Sequence, residues 1–332
     1  MNFVVNKDSK AKAFLKKLPE IFLLLSLAFV AGMLVLFPNK YVEATFTGIK
    51  VWAVNVLPSL LPFFFITALA TATGSLTKIT RLTSPFTGFL YRTDGIAAFV
   101  QVMSFLSGYP VGVKIAADLY ERGVIGGREA TKLCTFCSTS GPMFIVGSVG
   151  TAMFRNKTVG FILLFSHLTA SVLCGVIFRW LPTSKPRNVC AKTGVTTDNV
   201  LYESVYSAVL SVAMVGGFIA VFFTFATILF DVGLFTPIVW VLSPLIGENN
   251  AKGVAMGIVE CTFACKILSE SVTPLSVSLA CGAISCGGLS VWCQSAVYLN
   301  KAHADLKIFA LSKLTHTVLS FALCYGVCAV LS

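Results

Sequence analysis

The chain has 332 residues, 56% of them hydrophobic and only 12% charged, with a mean hydropathy of +0.85. Soluble domains carry about 25% charged residues to keep a hydrated shell, so this composition excludes an ordinary soluble globule and makes lipid the natural solvent. The excess of 25 Lys and Arg over 14 Asp and Glu, +11 in all, does not mark a nucleic-acid binder, because the basic residues gather beside apolar runs.

Lys7, Lys10, Lys12, Lys16 and Lys17 precede the first apolar run, and Arg179, Lys185, Arg187 and Lys192 flank a central polar loop. Lys and Arg accumulate in cytoplasmic loops, so these positions read as topology signals. A membrane span needs about 20 apolar residues to cross a ~30 Å hydrocarbon core. The first window, residues 21–37, is long for a secretory leader and has no small-x-small cleavage site. It reads as a retained span with the N-terminus in the cytoplasm. The second, residues 51–73, contains Pro58 and Pro62.

A third segment, residues 96–117, is interrupted at Ser107-Gly108-Tyr109-Pro110-Val111-Gly112, and a fourth region is broken at Ser138-Thr139-Ser140-Gly141-Pro142. Residues 159–181 form a clean span, and the polar stretch 182–199 is the best linker. The second half opens with residues 205–230, followed by a short interfacial or re-entrant piece at 235–245. Residues 253–268 are apolar but carry Glu260 and Lys266; residues 277–299 are interrupted at Gly287-Gly288; residues 308–331 are the last span.

The expected fold class is therefore an all-α polytopic membrane protein with roughly eight to ten membrane segments, discontinuous or re-entrant helices among them. Residues 1–45 hold the cytoplasmic N-terminus and first helix. Two halves, 46–181 and 201–332, flank the linker 182–200. Each half has a glycine-interrupted segment and a plain terminal span. Ser104 to Gly108 and Ser285 to Ser290 hold comparable positions, the pattern of an inverted repeat.

The breaks are where chemistry is expected. Pro110 has no amide hydrogen, and Gly108 and Gly112 admit unusual backbone angles. Backbone freed inside a membrane is tolerated only against protein or a water-filled cavity. Ser107, Gly108, Tyr109 and Pro110 are thus candidate solute ligands, with Lys114 as a cation beside a helix end. Ser138, Ser140 and Gly141 form a second candidate group, their hydroxyls suited to capping a helix from Met143. Ser290 and Gln294, after the Gly287-Gly288 break, offer a hydroxyl and an amide that both donate and accept. Glu260 and Lys266 are candidates for coupling-ion binding or gating, since an intramembrane carboxylate faces a cavity or a partner.

His167 and His316 stand alone on plain spans and read as packing residues. The eleven cysteines, Cys134 and Cys137 in C-x-x-C included, read as small apolar packers; no second pair or histidine cluster has zinc-ligand spacing. No phosphate-binding loop or hydrolase motif occurs. Neither an enzyme nor a cofactor or metal is expected.

Val56-Leu57-Pro58-Ser59-Leu60-Leu61-Pro62-Phe63, Ser107-Gly108-Tyr109-Pro110-Val111-Gly112-Val113-Lys114 and Ser140-Gly141-Pro142-Met143-Phe144 occur in that order, followed by Glu260 and Gly288-Leu289-Ser290-Val291 with Gln294. Together they resemble the sporulation integral membrane proteins of the YlbJ type, within the Gate or nucleoside-recognition domain superfamily. The resemblance runs from about residue 51 to the C-terminus. It implies transport of a small anionic or heterocyclic solute, dipicolinate during sporulation being the favoured one, with a coupling proton or sodium ion as a candidate partner. A nucleoside-type carrier and a non-transporting assembly scaffold are the alternatives.

Overall fold

The computed structural model describes residues 24–72, 76–183 and 197–331. The lysine cluster at residues 7–17 and most of the linker, residues 184–196, lie outside the described residues. Every regular element among the described residues is helical, as the composition requires.

Among the described residues, four helices are long and apolar enough to cross a membrane: Lys157–Trp180, Asn199–Asp231, Pro274–Lys301 and Leu306–Leu331. A bent pair, Leu24–Leu36 with Pro38–Val54, makes a fifth. The expected first span is thus not straight. Helix α1 (Leu24–Leu36) turns by 106° into α2 (Pro38–Val51), because Pro38 cannot continue the α1 hydrogen-bond ladder but is well suited to open a new helix. Helix α2 runs on through a π-helical turn, Trp52–Val56, into α3 (Leu57–Ala72). Pro58 lacks the amide that would close that turn normally, and the helix widens just before it.

The longest helix, α9 (Thr197–Asp231), lies antiparallel along α2. Lys40 pairs with Asp231 at 2.7 Å, Thr45 meets Thr224 at 2.7 Å, and Trp52 Nε1 donates to the Val212 carbonyl at 3.1 Å. Gly48 lets the two backbones close: a Cβ there would stand 2.9 Å from Ala220 Cα. Small residues at such crossings are how helices associate where lipid removes the hydrophobic drive.

Between these spans the chain is short and broken. It runs through α4 (Leu76–Tyr91), α5 (Ile96–Ser107), α6 (Val111–Glu121), α7 (Gly127–Cys134) and a π-helix, Met143–Met153, to the long α8 (Lys157–Ile177) and a 3-10 turn, Phe178–Trp180. After α9 come α10 (Thr236–Ile246), α11 (Glu248–Gly257), α12 (Cys261–Leu268), α13 (Pro274–Cys286), α14 (Gly288–Lys301) and the long α15 (Leu306–Leu331). The roughly eight to ten windows counted at span length therefore resolve into four or five full spans plus shorter helices such as Ile96–Ser107, Met143–Met153 and Thr236–Ile246.

Helices α8, α13 and α15 pack as a trio through small residues. Cys174 Sγ reaches the Ser312 carbonyl and Cys281 Sγ the Leu163 carbonyl. Cys174, Cys281 and Cys324 are fully buried and unpaired, as are Cys134 and Cys137 in the C-x-x-C. Cys174 meets Ser312 while His167 meets His316, so α8 and α15 run antiparallel.

Outside the membrane-spanning helices, α7 is held from one side by Lys132. Its ammonium donates to the carbonyls of Arg92, Arg179 and Leu181, closing the ends of α4 and the 3-10 turn. One turn earlier, Glu129 is buried with one carboxylate oxygen unpartnered among the described residues. Its carboxyl is pushed up from 4.5 to about 7, first by burial and then by Asp94, against the pull of Lys132. The folded chain thus holds a proton that the unfolded chain releases at lower pH. The penalty is absent below the unfolded value, grows between the two, and is complete above about 7. Glu129→Gln is expected to raise stability in detergent by about 1–3 kcal/mol at pH 8 and to change it little near pH 4, read as thermal unfolding at the two pH values.

Candidate functional site

Four helix interruptions meet in the middle of the structure. At the first, α5 ends at Ser107, Gly108 takes φ +87°, the Tyr109–Pro110 peptide is cis, and α6 starts at Val111. At the second, α7 ends and residues 135–141 run without helix until the π-helix begins at Met143. The third lies between α11 and α12 at residues 258–260. The fourth is Gly287, between α13 and α14, with Gly288, the first residue of α14; both have positive φ, at +79° and +67°.

The interruptions pack in pairs, backbone on backbone. A Cβ on Gly108 would stand 2.6 Å from the Gly141 nitrogen, and one on Gly288 would stand 2.8 Å from the carbonyl oxygens of both Gly257 and Val259. In the second pair the contact is hydrogen-bonded: Leu289 N–H donates to Ile258 O at 2.8 Å and Ser290 N–H to Val259 O at 3.1 Å. The third break was not legible as one, having no Gly-Pro signal of its own. The available clue was Glu260 just after Gly257, a polar residue three positions before Phe263 in an apolar run.

Side chains satisfy the remaining freed backbone, which lipid would leave stranded. In the second interruption the Phe136 carbonyl accepts from Ser171 at 2.6 Å, Cys137 from Ser104 at 2.6 Å, and Ser138 from Lys313 at 3.0 Å. The Ser140 N–H donates to His167 Nε2 at 2.9 Å. The hydroxyls of Ser138 and Ser140 therefore do not cap the helix at Met143, which has no side-chain cap; a histidine takes up the freed amide instead. At the end of α13, the Tyr109 hydroxyl reaches the carbonyls of Ile284 at 3.1 Å and Ser285 at 3.2 Å. Trp292 Nε1 takes the Cys286 carbonyl at 2.8 Å.

The two histidines are not solitary. Their rings lie 4.7 Å apart, His167 Nδ1 meets Ser285 Oγ at 2.7 Å, and His316 Nε2 meets the His167 carbonyl at 3.0 Å. An amide can only donate, so His167 Nε2 is bare and Nδ1 carries the hydrogen toward Ser285. A carbonyl can only accept, so His316 Nε2 is protonated. Single-sequence reading could not pair residues separated by half the chain.

A cavity of 70 Å³ opens where the interruptions converge. Of the residues singled out from sequence, Ser107, Gly108, Tyr109, Ser140, Gly141, Glu260, Ser290 and Gln294 line it, together with Cys261 and Thr262 and an apolar wall that includes Val215 and Ile219. Glu260 is the N-cap of α12, its Oε2 accepting from Phe263 N–H at 2.7 Å. Gln294 Nε2 donates to Ser290 Oγ at 3.3 Å, and Ser107 Oγ is buried with no hydrogen-bond partner among the described residues.

Four candidates lie elsewhere. Pro110 opens α6 without lining the cavity. Lys114 is paired with Asp118 at 2.8 Å, one turn along α6. Ser138 contributes its carbonyl to Lys313 behind the cavity, and Lys266 is exposed on the last turn of α12. Sequence reasoning passed over Lys313, although a charge inside the span 308–331 was the available signal.

The chain is similar to the sporulation integral membrane protein YlbJ of Bacillus subtilis, 28% identical over 319 residues, which cover 87% of this chain and 78% of the relative. The solved structure of a CNTnw variant in the intermediate 3 state covers 97% of this chain and 87% of its own, with 14% identity and a TM-score of 0.48. No protein-family model matches the chain.

The paired glycines give the first test of the site. Gly108→Ala adds a Cβ where both φ and the Gly141 backbone forbid it, and is expected to cost about 2–4 kcal/mol. Gly147→Ala, a site with no atom within 4 Å of its Cβ position, is the control. Thermal unfolding of the two purified variants separates them.

Proposed function

We propose that this multi-pass protein is a secondary carrier for a small anionic or heterocyclic solute, dipicolinate being the favoured one, and that it is not an enzyme. The observation that carries the reading is the convergence of four helix interruptions on one largely apolar cavity into which a few polar groups, Ser107, Ser140, Glu260, Ser290 and Gln294, project. Interrupted helices aim backbone dipoles and free polar groups at a solute, whereas a scaffold has no use for backbone breaks inside lipid. The relative's name, a sporulation integral membrane protein, supports a membrane role in the same process; the lysines before the first apolar run favour the cell membrane with the N-terminus in the cytoplasm.

Ser107, Ser140, Ser290 and Gln294 would orient the solute, and the first turns of the π-helix and α12 present positive dipole ends. The cavity, at 70 Å³, is small beside the about 300–1,000 Å³ of ordinary ligand sites. Binding therefore requires its walls to part, as alternating access demands.

The element order supports an inverted repeat. A helix pair, an interruption, the short helices α6 and α7, a second interruption, the π-helix and then a long span run from α4 to α8. The same order runs from α10 to α15. By this order Gly108 to Pro110 answers residues 258–260, and Ser140-Gly141 answers Gly287-Gly288, rather than Ser104 to Gly108 answering Ser285 to Ser290. The corresponding spans α8 and α15 run antiparallel, as an axis in the membrane plane requires.

Glu260 is the natural site for a coupling proton or sodium ion, as the cavity's carboxylate. Its capping and coupling roles separate cleanly. Glu260→Gln keeps an oxygen for the Phe263 amide, so stability holds while ion-driven accumulation is lost. Glu260→Ala loses the cap as well, about 1 kcal/mol. In proteoliposomes, labelled dipicolinate is expected to accumulate with wild type under an ion gradient. Uptake of uridine in its place would favour the nucleoside-type alternative, and uptake of neither would sink the carrier reading.

A further inference from the structure

The carrier reading leaves one buried cation unused. Lys313 sits within the membrane-spanning helix α15 at 1% exposure, and no carboxylate pairs with it among the described residues. Its ammonium donates to the Tyr109 hydroxyl at 2.8 Å and to the Ser138 carbonyl at 3.0 Å, and stands 4.5 Å from the centre of the Tyr109 ring.

The hydrogen-bond directions fit a charged lysine. An ammonium has no lone pair, so Tyr109 must accept from it, leaving the phenol hydrogen for the carbonyls of Ile284 or Ser285. The partners are all neutral dipoles: a phenol, carbonyls, and a ring face. Behind them His167 is held neutral by the Ser140 amide that its bare Nε2 accepts from, and His316 donates its Nε2 hydrogen to the His167 carbonyl. A fixed charge so placed, in a medium of low dielectric, projects its potential past Tyr109 into the cavity that Tyr109 lines.

We propose that Lys313 is the charge-selecting residue of the cavity, a fixed cation behind Tyr109 that favours a small carboxylate-bearing anion over a neutral solute of the same shape. Glu260, the acid on the cavity wall, offsets this charge while it is ionised. When a proton or cation neutralises Glu260, the field of Lys313 stands uncompensated and the anion binds. Anion and coupling ion thus enter together, because each removes the electrostatic obstacle to the other. Lys313 acts through Tyr109 without touching the solute, which makes it a positioning and selectivity residue. The inference rests on the carrier reading and adds the origin of its selectivity.

The test compares dipicolinate with pyridine-2,6-dicarboxamide, its neutral isostere, by uptake into proteoliposomes. Wild type is expected to prefer the anion. Lys313→Gln keeps N–H donors for Ser138 and Tyr109 but drops the charge, and is expected to lower the anion-to-neutral ratio by about tenfold or more. Lys313→Arg is expected to retain the preference. An unchanged ratio in Lys313→Gln, with wild-type uptake of dipicolinate intact, overturns the inference and leaves the carrier standing. Absence of wild-type uptake of either probe overturns the carrier itself. Should Lys313→Gln fail to fold, wild type alone decides: a buried cation predicts an anion preference that survives high salt, since buried charges are screened little. A preference that collapses with salt, or a ratio near one, overturns the proposal.

Discussion

Lipid offers no hydrogen bonds, so every amide and carbonyl released by a helix break must find its partner inside the protein. The structure depends on how this is met at four interruptions. Carbonyls at 136, 137 and 138 take Ser171, Ser104 and Lys313; the amide of Ser140 takes His167. The carbonyls of Ile258 and Val259 take amides from the start of α14, and those ending α13 take Tyr109. These bonds join α5, α8, α12, α13, α14 and α15, so the breaks hold one another in place.

The same satisfaction leaves some groups available. Ser107 Oγ is unpartnered among the described residues, Gln294 makes one recorded bond to Ser290, and Glu260 spends one oxygen on Phe263. All of them line the cavity. Glycine enters where backbones touch. Gly108 on Gly141, and Gly288 on Gly257 and Val259, leave no room for a Cβ, and without that approach the cavity would have no common wall.

Much of the site was legible in the sequence, since a break inside an apolar run is visible as Ser-Gly-Tyr-Pro, Ser-Gly-Pro or Gly-Gly. Seven of the residues so marked line the cavity, and Glu260, marked as an intramembrane carboxylate, is the eighth. The illegible part had long-range causes. Lys114 looked like the cation of the site because it follows a break, yet Asp118, one turn on, takes its charge. Lys313 looked like nothing in a plain span. His167 and His316, 149 residues apart, looked solitary. The break at residues 258–260 passed as continuous helix, because an N-capping glutamate is a weaker sign than proline.

The sequence by itself determined the class of solvent, the helical character and the places where helices fail, because hydropathy, proline and glycine act locally. Which interruptions would meet, and which cation would stand behind them, only the tertiary structure decided. A hydrogen bond from Lys313 to Tyr109 spans 204 residues, and the need to satisfy a freed group names the kind of partner without naming which one. Many hydrophobic spans make this a membrane protein; the convergence of their breaks makes a site.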